Sequence, residues 1–288
     1  MGDKQQSQYW MESQVERKRL ASNHYIAKDA MGGTLVRAPV DFSHPVKVLD
    51  SGTADGTWLL DLASSLPPLP ADTSKMHEFY GTDLNPTPFP DSPPPNVFFT
   101  VQDIKQPWPL SEQGKYSLVH QRLTLLGAGP SPATSVSHLY SLLQPGGWIQ
   151  LCEATMVFPP EIVNEKRTPA FCDLLRLMQS VAEHVGAAWE IGGTLRGLLE
   201  EVGCTDISDE EVVLNMGRTN KDDGLCKDGV ESCGLAVEGL SGFAKTFAPG
   251  KQPLPAERYE SLRGDLVREL SEVGSVFPLR IVWGRKPQ

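Results

Sequence analysis

The sequence predicts an α/β protein organised on an open, largely parallel sheet, and three observations predict it. A short apolar run at 46–49 ends in Asp50, turns through small residues and enters a periodic apolar segment at 58–66. Two further strand-like runs, 77–83 and 96–101, also end at or beside an acid, Asp83 and Asp103. The chain closes on another strand-like run, 277–284. A strand, a tight glycine turn and a helix start make up the opening of a nucleotide-binding α/β unit.

Composition narrows the functional classes. With 288 residues, 40% apolar and 22% charged, the chain is long enough for one large domain with an appended lid. A formal charge of −10 argues against a polyanionic partner, because nucleic-acid binders present a basic face to phosphates. No run approaches the ~18 apolar residues of a membrane span, and the polar start lacks the apolar core of a signal peptide. A cytosolic or nuclear setting is expected, cytoplasmic being preferred, with neither nucleic acid nor membrane as partner. The five cysteines form no C-x-x-C pair and read as free thiols.

In the first turn, Gly52 and Gly56 let the backbone bend sharply and approach a ligand where a Cβ would collide. The dinucleotide spacing Gly-x-Gly-x-x-Gly is broken, since Ala54 and Thr57 stand where glycines would. The pattern present is Asp50-x-Gly52-x-Ala54-x-Gly56. Ala54 is compatible with a close approach provided its φ stays negative.

Before that turn, Val15, Leu20, His24, Tyr25 and Ala27, with Tyr9 and Trp10 ahead of them, fall roughly on one helical face. Residues 1–40 therefore read as an N-terminal helical cap, and its amphipathic helix makes a homodimer feasible. After the first helix comes a turn-rich insertion, 66–74, and then a strand ending in Asp83, whose two carboxylate oxygens match a ribose cis-diol. Six prolines between 86 and 95 replace the usual second helix with an extended loop. The strand 116–123 puts His120, Gln121 and Arg122 at its carboxyl end, the edge that faces a ligand crevice. A helix at 131–143, a Leu-x-Pro-Gly-Gly turn at 143–147 and a strand at 148–156 containing Glu153 follow. Helices are expected at 176–185, 194–202, 234–247 and 256–273, with a sixth strand at 207–216. Residues 217–232, rich in glycine and charge, read as a mobile connection.

The first turn resembles motif I of class I S-adenosylmethionine-dependent methyltransferases. Asp83, Asp103-Ile104 and Leu-x-Pro-Gly-Gly recur in that family's order. The wording Gly-Thr-Ala-Asp-Gly-Thr-Trp, Gln-Asp-Ile-Lys-Gln-Pro-Trp-Pro and Leu-Val-His-Gln-Arg is similar to the fungal secondary-metabolite group, LaeA-like and gliotoxin N-methyltransferase-like, over about residues 20–155. The resemblance implies a Rossmann-like, seven-stranded class I methyltransferase sheet at 41–288, closed by an antiparallel strand. It adds an N-terminal helical extension and a helical lid, the acceptor pocket being formed by 157–192 and 217–260. It implies S-adenosyl-L-methionine as cofactor, S-adenosyl-L-homocysteine as product and no metal.

For the cofactor, the resemblance implies Tyr25 as a lid contact. Asp50, Ser51, Gly52 and Gly56 come from the turn, Asp83 and Leu84 from the second strand end, Asp103 and Ile104 for the adenine, and Gln121 from the fourth strand. Methyl transfer is an in-line displacement that asks the protein mainly to align the acceptor and exclude water. His120 is the candidate general base, because imidazole titrates near neutrality; a cofactor contact and a satisfied strand histidine are the competing readings. Arg122 and Glu153 are candidates for the substrate, and either could instead pair structurally. The expected activity is methyl transfer to an oxygen or nitrogen of a small fungal metabolite. The family also admits a pericyclase that keeps its cofactor intact, and a LaeA-like partner-binding regulator.

Overall fold

The structure, a computed structural model, describes residues 14–69, 75–248 and 250–288. Tyr9, Trp10 and residues 70–74 of the expected insertion lie outside the described residues. In chain order the elements are α1 (Gln14–Ala30), β1 (Lys47–Ser51), α2 (Thr57–Ser65), β2 (Glu78–Asp83), β3 (Val97–Val101), β4 (Tyr116–Arg122) and α3 (Pro132–Leu142). There follow β5 (Leu143–Ala154), α4 (Pro169–Val185), α5 (Leu195–Glu201), β6 (Thr205–Met216), α6 (Asp223–Ala244), α7 (Ala256–Glu272) and β7 (Ser275–Arg285).

The seven strands form one mixed sheet in the order β3-β2-β1-β4-β5-β7-β6. β1 pairs in parallel with β2 and β4, β2 with β3, and β4 with β5. Strand order reverses between β1 and β4, the position at which an open α/β sheet leaves a crevice beyond its strand ends. The Rossmann-like seven-stranded sheet expected from the sequence is thus present.

The chain divides into two compact units. One comprises Thr34–Thr155, Ile191–Glu211 and Arg280–Gln288; the other comprises the described part of Met1–Gly33 with Met156–Glu190 and Val212–Leu279. In the first, α2 lays Trp58, Leu59 and Leu62 on Val48, Phe79, Val97 and Leu118, an apolar cluster completed by Leu35, Ala38 and Val46. Residues 34–40 therefore belong with the sheet. In the second, α6 packs against α1, α4 and α7. Glu269 of α7 accepts the backbone amides of Ala170 and Phe171, each at 2.9 Å, and so satisfies donors that the first turn of α4 leaves open.

Three expectations need correction. Residues 217–232 are not a mobile connection: from Asp223 onward they are the first half of α6. Asp222 caps that helix, its Oδ1 accepting from the amides of Gly224 and Leu225. Two of the glycines of α6, Gly229 and Gly234, serve close packing rather than turns. A Cβ on Gly229 would sit 3.1 Å from the Gly217 backbone nitrogen, and one on Gly234 would sit 3.1 Å from Val267 Cγ2. The Pro-Gly-Gly segment is not a turn preceding β5 but lies inside it, as an irregularity in the β4 pairing between Tyr116↔Leu143 and Leu118↔Trp148. A Cβ on Gly147 would approach the Tyr116 carbonyl oxygen to 2.8 Å. Finally, α4 begins at Pro169 rather than 176, because proline is well placed in a first helical turn.

Candidate active site

The site is assembled at the carboxyl ends of β1, β2 and β4. Asp50 and His120 are register partners on β1 and β4, and His120 is in turn the partner of Gln150 on β5. His120 Nδ1 lies 2.7 Å from Asp50 Oδ1. An ionised carboxylate only accepts, so Nδ1 carries the hydrogen. The imidazole also stacks on Trp58 of α2 and is fully enclosed. Burial pushes its pKa below the ordinary histidine value, against the opposing pull of Asp50. The second oxygen of Asp50 accepts the hydroxyl of Thr53 at 2.7 Å. Both oxygens of the motif acid are thus bonded within the protein, one holding β4 and the other the turn.

The turn is fixed from β2 as well. The amides of Gly52 and Thr53 both donate to the Thr82 carbonyl, at 2.7 and 2.9 Å. Gly52 and Gly56 have φ of 72° and 78°. A Cβ on Gly52 would overlap the side chain of Thr124, and one on Gly56 would overlap the ring of Phe99. Both glycines are therefore required by conformation and by space.

Ala54 departs from expectation. Its φ is +53°, in the left-handed region, because its amide must reach Asp83 Oδ2 at 3.0 Å. Asp83 Oδ1 accepts the amide of Asn85 at 3.1 Å, and burial is the main cause raising the carboxyl's pKa. Leu84 beside it is exposed.

Gln121 is wholly buried, its amide nitrogen donating to Ser51 Oγ at 3.0 Å while its oxygen has no partner among the described residues. Thr82 Oγ1 and Asn85 Nδ2 are likewise buried without partners among the described residues. Asp103 Oδ1 accepts the Lys105 amide at 2.9 Å. Ile104 reaches toward the turn after β4, where its Cδ1 would lie 3.6 Å from a Cβ on Gly127.

The structure thus brings Asp50, Ser51, Gly52, Gly56, Asp83, His120 and Gln121 into one bonded assembly. Arg122 stands at the end of β4 opposite Cys152. Glu153 is buried on β5, and its Oε1 accepts the amides of Thr124 and Leu125. Tyr25 belongs to the other unit, where its half-exposed ring meets His24 edge-on. Sequence reasoning missed Thr53, Trp58, Thr124 and Gln150. Thr53, enclosed between motif positions, carried a local signal. Gln150 clamps the lead-in to β1 through the Arg37 amide at 2.6 Å and the Leu35 carbonyl at 3.0 Å, a long-range contact without one. Among the described residues no three His, Cys, Asp or Glu side chains cluster as metal ligands, all five cysteines are free, and no helix is long and apolar enough to cross a membrane.

No family model matches the chain. Among curated proteins, N-methyltransferase sirN of Leptosphaeria maculans is 36% identical over 278 residues, covering 95% of this chain and 92% of that protein. N-methyltransferase gliN of Aspergillus fumigatus is 32% identical, covering 94% of each. The chain belongs to the S-adenosylmethionine-dependent methyltransferases of fungal secondary metabolism. This methyltransferase is also 31% identical to methyltransferase psoC of Aspergillus fumigatus over 95% of both chains. Solved structures share its fold. The Haloferax volcanii Trm112 methyltransferase activator in complex with a methyltransferase gives a TM-score of 0.52 at 15% identity, covering 95% of this chain and 94% of that one. Phosphoethanolamine N-methyltransferase 2 of Haemonchus contortus, with phosphomonomethylethanolamine and S-adenosylhomocysteine, gives 0.50 at 14% identity, covering 92% of this chain and 53% of that one. The methyltransferase transfers a methyl group from S-adenosylmethionine to a nitrogen or oxygen of a small molecule.

Proposed function

We propose that the acceptor atom is a nitrogen of a small, weakly polar metabolite, and that the glycine turn with Asp83 forms the cofactor cradle. Four relatives spread along the chain's whole length are named N-methyltransferases, which supports nitrogen over oxygen. The net charge of −10 weighs against an anionic acceptor.

The residues fit the cofactor. The turn offers left-handed glycines whose Cα atoms leave no room for a side chain, and Gln121, Thr82 and Asn85 hold buried polar atoms without a partner among the described residues. S-adenosylmethionine supplies an activated methyl on a positively charged sulfur. In this reading Asp83 accepts ribose hydroxyls, with Leu84 beside it, and Asp103 and Ile104 meet the adenine. Ser51, Gly52, Gly56 and Gln121 line the methionine end, and Arg122 serves the acceptor. No metal is called on. His120 acts through Asp50: its ring holds the carboxylate that holds Thr53, so the turn is set before any ligand arrives. Preorganisation of this kind lowers the cost of aligning the reacting atoms.

The observation that carries the reading is the double fastening of the turn, by Asp50 from below and by Asp83 through the Ala54 amide. The test is calorimetric titration of the full-length protein with S-adenosylhomocysteine, followed by turnover with paired N–H and O–H acceptors. Binding, with product formed only from N–H acceptors, is the expected result. Absence of binding overturns the cradle, and turnover of O–H acceptors alone overturns the choice of nitrogen.

A further inference from the structure

Glu153 is a carboxylate on a central strand, 4% exposed, and burial pushes its pKa up to about 7. A buried carboxylate costs free energy unless hydrogen bonds satisfy it. Two do: Oε1 accepts the Thr124 and Leu125 amides, each at 2.8 Å. Both amides lie just past the end of β4, in a segment with four features that bear on the turn. Leu123 has φ +53°, a conformation that a branched aliphatic residue holds only where its surroundings impose it. The Leu123 amide donates to the Cys152 carbonyl at 2.9 Å, and Thr124 Oγ1 donates back to the Arg122 carbonyl at 2.9 Å. Thr124 then lies against Gly52, filling the space a Cβ there would occupy. A continuous line of contacts therefore runs from Glu153 through the Thr124 backbone and side chain to the first glycine of the cradle.

We propose that Glu153 is a positioning residue for the cofactor: by holding the amides of Thr124 and Leu125 it keeps Leu123 in its left-handed turn and Thr124 seated on Gly52. The affinity for the S-adenosyl compound then depends on a carboxylate that does not touch it. Glutamine keeps the accepting oxygen without the charge. Leucine keeps the bulk and removes the acceptor. Thr124→Gly empties the seat on Gly52 and leaves the carboxylate alone.

The inference rests on the cradle proposed above, and the experiment separates the two. S-adenosylhomocysteine is titrated into full-length wild type, Glu153→Gln, Glu153→Leu and Thr124→Gly, with melting temperature and hydrogen exchange over residues 122–126 recorded alongside. Glu153→Gln is expected to bind within about threefold of wild type. A folded Glu153→Leu is expected to bind about tenfold more weakly, the scale of one or two hydrogen bonds, with faster exchange in the segment. Thr124→Gly is expected to weaken binding about fivefold with native exchange elsewhere, and it decides the matter if Glu153→Leu does not fold. Wild type that binds while Glu153→Leu or Thr124→Gly binds equally well overturns the positioning role and leaves the cradle standing. Glu153→Gln as weak as Glu153→Leu also overturns it, because the amide acceptor would then not suffice. Wild type that does not bind removes the cradle itself.

Discussion

The indole of Trp58 lies flat on the imidazole of His120, ring centroids 3.7 Å apart and planes within 4°. The same imidazole holds Asp50 through Nδ1. The stack fixes the ring plane, and the ring plane fixes the carboxylate. Replacing His120 by alanine leaves a buried acid short of a donor and is expected to cost about 2–3 kcal/mol. Asparagine, whose amide can reach the position of Nδ1, is expected to recover part of that. Thermal or urea denaturation of the two variants measures it.

Asp83 joins the cradle to β2 through the Ala54 amide. Asp83→Ala is expected to weaken S-adenosylhomocysteine binding by about 1–3 kcal/mol, read by calorimetry, since it leaves that amide and, in the proposed cradle, the ligand's hydroxyls without an acceptor. Asp83→Asn is expected to fall between the two.

Ala54 sits at φ +53°, where an L side chain costs about 1–2 kcal/mol and glycine costs nothing sterically. Glycine also gains freedom in the unfolded chain, which offsets part of the relief. Ala54→Gly is expected to raise stability by about 0.5–1 kcal/mol, measured as a higher melting temperature, with cofactor binding unchanged.

Glu153 also has a pH signature. Its folded pKa of about 7 stands above the unfolded carboxyl value, so between roughly pH 4.5 and 7 the folded state keeps a proton that the unfolded state has released. The stabilisation is full below that window and is lost as pH rises through 7. About two and a half pH units correspond to about 3 kcal/mol. His120, lowered by burial, has the opposite sign and loses stability as pH falls through the ordinary histidine range. The variant isolates the first effect: Glu153→Gln is expected to match wild type near pH 5 and to exceed it near pH 8. Urea denaturation at the two pH values checks this.

Gly264 in α7 faces open space, with nothing within 4 Å of a built Cβ. Gly264→Ala is expected to add up to about 1 kcal/mol by helix propensity alone. The same change at Gly234, whose Cβ would meet Val267, is expected to gain little or to lose stability. Melting temperatures of the pair compare the two environments directly.

Local chemistry was legible in the chain. Gly52 and Gly56 announced the turn because conformation and close approach leave few other residues that fit, and Asp50 and Asp83 announced the ends of β1 and β2 because each acid closes an apolar run beside that turn. The partners of those residues were not legible. Nothing in the sequence near His120 indicates that Trp58 stacks on it, and nothing near Glu153 indicates that its partners are two main-chain amides of another segment. The half-helix after Asp222 was misread for a related reason: glycine marks a turn when judged by neighbours in sequence, and a tight helix contact when judged by neighbours in space.

That helix contains five glycines between 224 and 242, each about 1 kcal/mol less helix-forming than alanine. Left to itself, such a segment would spend its time as coil. Its order is lent by α1, α4 and α7, so these elements lose or gain structure in a single cooperative step, and a lesion in any one of them is felt along the length of the glycine-rich member.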